Sequence, residues 1–332
     1  MAVKTSFRNP VPMAELHCHL EGTVPPALAL RLGQRHGIDL SHVIDPVTET
    51  YIWRDFSGFL ATYVAMCEAI RTLEDYYEIT FDYFTRMAAR GLVYGEVFVS
   101  PDLGRAHGLA YPALIGTIAT AMRDAEAKTG VVGRIVLVAI RHLGGGAAER
   151  VAREAERHPH PFVVGMGLAG EESFGEPIDF RPAFEIARNA GLRLTAHAGE
   201  HRGAAHVRAT IRDLKVERIG HGVRVIEDPA VMAEVRERGV TLEVCPHSNL
   251  ALGLYPSLAK HPVKRLINAG LKVTLNSDDP PFFHTDLEQE YRDTAAVHGL
   301  SRADSIAITR TAIDAAFCEE AVKERLRVRL FG

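Results

Sequence analysis

The stretch GLRLTAHAGEH, Gly191–His201, decides the fold. Leu192, Leu194 and Ala196 read as one buried face of a short strand, yet the strand runs out into His197, Gly199, Glu200 and His201. The segment before it, FRPAFEIARNAG, carries Pro182 near a helix start and Gly191 just past the end, the asymmetry expected of helix termini. The unit is therefore helix, strand, polar end. It recurs. EDPAVMAEVRERG, with Asp228 as N-cap, Pro229 in the first turn and Gly239 as terminator, leads into VTLEVCPHSN, and HPVKRLINAG leads into LKVTLNSDDP.

Upstream, MAELHCH, VYGEVFVS, GRIVLVAI and FVVGMGLAG read as further strands, and ERIGHG is a very short one. Eight strands alternating with helices predict an α/β protein with a parallel sheet covered by crossover helices. No G-x-G-x-x-G opens any helix, so a closed (β/α)8 TIM barrel is preferred over an open doubly wound sheet. Roughly residues 23 to 92 are too many for one crossover. FLATYVAMCEAI and YYEITFDYFTRMAARG in that interval are helical, which predicts a helical insertion after the first strand, partly covering one barrel end. The stripe Tyr76, Tyr83, Phe84 and Met87 is assigned to packing. Residues 1–332 are read as a single metal-dependent hydrolase barrel domain.

Composition narrows the function. The chain has 332 residues, 47% of them hydrophobic, and a formal net charge of −4, with no Lys/Arg-rich tract to meet a phosphate backbone, so nucleic acid is not expected as a partner. No apolar run approaches the ~20 residues of a membrane helix and the N-terminus lacks a secretory pattern, so no membrane is expected and the cytoplasm is the expected location. Cys18, Cys67, Cys245 and Cys318 are scattered without a C-x-x-C pair, which argues against a disulfide framework and a cysteine zinc site. Oligomeric state is not legible.

In a TIM barrel, catalytic groups stand where strands finish. ELHCHLEG ends the first strand with His17 and His19 two apart, so both imidazoles share one face and Cys18 takes the other. His197 ends the fifth strand, His221 the sixth, and Asp278 with Asp279 the eighth. Each alone is weak, since a strand-end His is usually just hydrogen-bonded and an Asp pair before Pro280 usually caps a turn. A barrel brings them together, and imidazoles with one carboxylate suit zinc or another first-row divalent ion. The expected ligands are His17, His19, His197 and Asp278, holding one Zn2+ per chain, because no strand end offers a bridging lysine for a second. Such an ion lowers the pKa of water from 15.7 toward ~7. Glu200 then reads as the proton donor rather than an N-cap carboxylate, and His221 as the group orienting the nucleophile. His142, His247 and Phe283 also fall near strand ends and carry no assigned role.

The order ELHCHLEG, GLAGEE, AHAGE, RIGHG, EVCPHSN, TLNSDDP resembles the adenosine deaminase group of the amidohydrolase superfamily over nearly the whole chain. The resemblance implies a single-zinc barrel that hydrolyses the 6-amino group of an adenine ring, a small-molecule purine substrate. It further implies that Glu200 serves ring N1, Asp279 meets N7, the Gly170 backbone N–H meets N3, and His19 and Glu21 lie in the substrate pocket. Two positions pull apart. Glu21 stands where most adenosine deaminases carry Asp against the ribose and is the choice of adenine-specific relatives, whereas GLAGEE follows the nucleoside branch. The expected reaction is deamination of adenosine or 2'-deoxyadenosine, with free adenine or a modified adenine as the alternative. A relative that had lost catalysis should lack a ligand or the donor, and none is missing.

Overall fold

A computed structural model describes residues 11–331. Its eight parallel strands are β1 (Met13–Glu15), β2 (Leu92–Val99), β3 (Val132–Ile140), β4 (Val163–Ala169), β5 (Arg193–Ala198), β6 (Arg218–His221), β7 (Thr241–Val244) and β8 (Lys272–Leu275). They lie side by side in chain order, each joined to the next by helix, as the repeated helix–strand phrase predicts. The ring closes through the residues just beyond β1 and β8: Asp278 N–H donates to His17 O at 3.1 Å and His19 N–H donates to Asp278 O at 3.0 Å. The H-x-H pair and the aspartate are thus set in mutual register by the backbone itself.

The helix signals hold locally. Pro229 opens Pro229–Glu237 with the Asp228 side chain accepting from Ala230 and Val231 N–H, and Gly239 follows with φ +66°. Among the described residues, no helix is long and apolar enough to cross a membrane.

The insertion comprises α1 (Pro26–His36), a two-stranded hairpin (Ile44–Asp45 with Thr50–Tyr51), α2 (Phe56–Cys67) and α3 (Leu73–Ala88). Only part of it is a cover. α3, begun by a Thr72–Asp75 capping box, buries Tyr76, Ile79, Tyr83, Phe84 and Met87 against the barrel and joins the outer ring. The hairpin and α2 form the cap, fastened to the segment after β8: Tyr51 stacks on Phe282 at 3.9 Å between ring centroids, and Trp53 Nε1 donates to Phe282 O at 3.0 Å.

The barrel interior is not wholly apolar. Arg218, 1% exposed, contacts Glu96 Oε2 at 2.7 Å and Glu243 Oε1 at 2.5 Å and lies 3.5 Å from the Phe317 ring centre. Buried ion pairs of this kind gain little net stability over apolar residues, but loss of one partner strands the other's charge at a cost of about 3–5 kcal/mol. Its significance is positional, because Glu243 is also the partner of His17.

Candidate active site

His17, His19, His197 and Asp278 converge at the C-terminal mouth, their ligand atoms all within 4.8 Å of one another. Each is aimed by its other atom. His17 Nδ1 lies 2.9 Å from Glu243 Oε2, which turns Nε2 inward. His197 Nδ1 donates to Leu168 O at 3.0 Å, so its Nε2 faces the cluster as a bare lone pair. The Arg141 guanidinium donates to His197 O at 2.8 Å and holds that strand end in place. Asp278 Oδ2 accepts from Ser248 Oγ at 2.7 Å, leaving Oδ1 to the imidazoles. Outer contacts of this kind are what orient the ligands of a metal ion in proteins that hold one.

The donor set fits a first-row cation. His17 Nε2 and His19 Nε2 each stand 3.4 Å from Asp278 Oδ1, and His19 Nε2 stands 3.4 Å from His197 Nε2. An ion with bonds of about 2.0–2.2 Å keeps its ligand atoms a little over 3 Å apart. His17 Nε2 and Asp278 Oδ1 are fully buried without a hydrogen-bond partner, a costly state that a cation relieves. Burial pushes His19 down to about 4 and His197 well below the usual imidazole range, so both are neutral and ready to coordinate. Gly220 makes room: a Cβ there would sit 2.7 Å from His17 Cε1.

Glu200 follows β5 and is 6% exposed. It is not a helix cap, since the next helix, Ala204–Leu214, has Gly203 at its N-cap. Burial first, then the charges of Asp278 and Glu172, push its carboxyl well above the usual range, so it carries its proton at neutral pH. Its Oε2 lies 3.7 Å from His221 Nε2. His221 is held in left-handed backbone, φ +58°, as is Asp278 at φ +63°; both are uncommon for non-glycine residues and concentrate strain at this site. Val263 N–H donates to His261 Nδ1 at 3.2 Å, so His261 Nε2–H donates to Asn249 Oδ1 at 3.1 Å and Asn249 Nδ2 donates to His221 Nδ1 at 3.2 Å. That chain leaves the His221 proton on Nε2, facing Glu200 and Asp278.

Asp279 is 4% exposed, and burial together with Asp278 keeps it protonated. Glu21 is 2% exposed and accepts from the Tyr76 hydroxyl at 3.3 Å; burial pushes it up to about 7. Gly170 follows β4 at φ +91°, beside His142.

Three supports escape the sequence patterns. Tyr76 is one residue of a packing stripe, yet its hydroxyl reaches Glu21. Glu172, in GLAGEE, accepts from the N–H groups of Glu200 at 3.2 Å and Arg202 at 2.5 Å and so shapes the loop that bears Glu200. Cys245, set aside for want of a paired cysteine, lies within 4.8 Å of His17, His221 and Asp278. His247 is turned away toward Glu290, 2.9 Å from it, and Phe283 packs in the cap against Phe59.

The chain as a whole is similar to known proteins. Over 317 residues the chain is 45% identical to an adenine deaminase of Sinorhizobium medicae, covering 96% of this chain and 97% of that one. An adenine deaminase structure from Arthrobacter aurescens superposes with a TM-score of 0.89 at 30% identity, over 97% of this chain and 98% of that one. An amidohydrolase from Burkholderia ambifaria with bound Zn superposes with a TM-score of 0.86 at 26% identity, over 96% and 89%. With residues 12–331 matching the adenosine deaminase family from end to end, the chain belongs to that family and is a hydrolytic deaminase.

Proposed function

We propose that the protein is a zinc-dependent adenine deaminase, converting adenine and water to hypoxanthine and ammonia. The observation that carries this reading is Glu21, a buried carboxylate held by Tyr76 beside Asp279. Free adenine has an N–H where a nucleoside has its glycosidic bond. A buried acceptor is satisfied by that N–H and left unpaired by a sugar, and sites of this kind discriminate strongly. The relatives named adenine deaminase favour this alternative over the nucleoside reaction expected from GLAGEE.

His17, His19, His197 and Asp278 would hold the zinc, which supplies the Lewis acidity that makes water a nucleophile near neutral pH. The chain's own groups then act on the base. Protonated Asp279 donates to N7, and the Gly170 N–H donates to N3. Glu21 accepts from N9–H, so the three fix the ring in one tautomer and one orientation. Glu200 gives its proton to N1 as water adds at C6, which removes the ring's resistance to attack; of the two protons the water oxygen loses, one restores the Glu200 carboxyl and the other passes to the 6-amino group as the C6–N bond breaks and ammonia leaves. The His221 Nε2–H faces the nucleophile and orients it, its tautomer held through Asn249 and His261.

The test is ammonia release, followed by ultraviolet absorbance, from adenine, adenosine, 2'-deoxyadenosine and N6-methyladenine at matched enzyme and zinc. The expected kcat/KM for adenine exceeds that for adenosine by roughly 10²-fold or more. An equal or larger value for adenosine overturns the proposal.

A further inference from the structure

The short helix Pro246–Ala251, just after β7, gives three consecutive side chains to three different partners. Ser248 Oγ donates to Asp278 Oδ2 at 2.7 Å, Asn249 Nδ2 donates to His221 Nδ1 at 3.2 Å, and His247 turns to the helix Leu287–His298. Consecutive side chains leave a helix about 100° apart, so any rotation of this one disturbs all three contacts together. Six residues are too few to hold a helix in water, where about 12–15 are needed, so its pose is set by what it packs against. The fastening is Glu290, wholly buried on Leu287–His298. Its two oxygens each lie 3.3 Å from the His247 backbone nitrogen, accepting one of the N–H groups that a helix start leaves without a partner. The His247 ring meets the same carboxylate, with Nδ1 2.9 Å from Glu290 Oε2 and Nε2 3.5 Å from Asp293 Oδ2. Thr285 Oγ1 donates to Glu290 Oε1 at 3.1 Å and holds the carboxylate in turn. One backbone and one side-chain contact to a single residue fix both the position and the rotation of the helix start.

We propose that His247 and Glu290 are positioning residues for the deamination: clasped together they set the pose of Pro246–Ala251, and through Ser248 and Asn249 the aim of Asp278 and the tautomer of His221. The inference rests on the reading of Asp278 as a metal ligand and of His221 as the group orienting the nucleophile. The groups that hold the base, Asp279, Gly170 and Glu21, lie on other segments, so the pair governs turnover and leaves base binding alone.

The test is a mutant cycle on the zinc-loaded enzyme with adenine as substrate, read together with the visible ligand-field bands of the cobalt-loaded protein. His247→Ala and Glu290→Gln should each lower kcat by roughly 10-fold, the scale of lost outer support around a ligand, with KM within about twofold and the cobalt bands shifted. Glu290 is buried and the His247 ring reaches solvent, so His247→Ala carries the test should Glu290→Gln fail to fold. His247→Asn, whose amide can stand where Nδ1 stands, should recover most of kcat. Where Ser248→Ala and Asn249→Ala have already cut both links, adding His247→Ala should cost less than about threefold more, because the helix then has nothing left to transmit. The proposal is overturned by a full 10-fold loss in that background, a rise in KM in place of the fall in kcat, unshifted cobalt bands, His247→Asn no better than His247→Ala, or unchanged kcat in His247→Ala. Unsubstituted protein that turns over no adenine, or gives no cobalt bands, overturns instead the readings beneath it.

Discussion

The Asp279 carboxyl rests on the bare Cα of Gly22: a Cβ on Gly22 would lie 1.7 Å from Asp279 Oδ1 and 2.7 Å from its Cγ. The glycine after Glu21 is therefore a demand of the eighth strand end rather than of the local turn. Gly22→Ala should swing Asp279 off N7 and lower adenine kcat/KM by roughly 10²-fold, the scale of an ångström-sized misplacement. Steady-state kinetics with a circular dichroism control check this; unchanged kcat/KM in a folded variant would show that Asp279 does not hold the base.

Glu200→Gln keeps the shape of the side chain and removes the transferable proton. kcat should fall by roughly 10²-fold or more while bound zinc stays at the level of the unsubstituted enzyme. Because burial, Asp278 and Glu172 raise the Glu200 pKa, its acid form persists through neutrality and activity is lost as pH rises through that raised value. The residual activity of the variant should lack this alkaline limb. A variant with nearly normal turnover would remove Glu200 from the role of donor.

Glu21→Asp withdraws the carboxylate toward its own backbone and opens room at the sugar position. The ratio of kcat/KM for adenosine over adenine should rise about 10- to 100-fold, the worth of one charged hydrogen bond lost by the base. Parallel assays of both substrates decide it, and an unchanged ratio would show that discrimination resides elsewhere.

Glu172 couples the acid's loop to pH. Burial alone would raise its pKa, but contact with His206 and the N–H groups of Arg202 and Glu200 hold it down, from 4.5 to about 2. A folded-state pKa below the unfolded one contributes stability that is complete above about pH 4.5 and is lost as pH falls through about 2. The shift corresponds to roughly 3 kcal/mol. Denaturation midpoints measured between these pH values should fall steeply for the unsubstituted protein and more gently for Glu172→Gln, which should also turn over more slowly. Parallel curves would assign the acid sensitivity to another group.

Much of the site was legible because its determinants are local. An H-x-H at a strand end places both imidazoles on one face whatever surrounds it, and a barrel gathers strand ends by construction, so pattern alone predicts the convergence of His17, His19, His197 and Asp278, with His221 and Glu200 beside them, that the structure displays. The interval after β1 was read as helical for the same reason. Its division into a cap and an outer-ring helix was not readable, since α3 has the same apolar stripe wherever it packs.

What the sequence determined by itself is the alternation of helix and strand, the caps that bound each unit and the residue types at the strand ends, all set by periodicities a few residues long. Only the closed barrel decided that Glu243 would aim His17 from 226 residues away, that Tyr76 would brace Glu21, and that Cys245 would stand beside His221 and Asp278. Those relationships depend on strand register and ring closure, which juxtapose atoms of distant segments to within an ångström, and no local pattern encodes that distance.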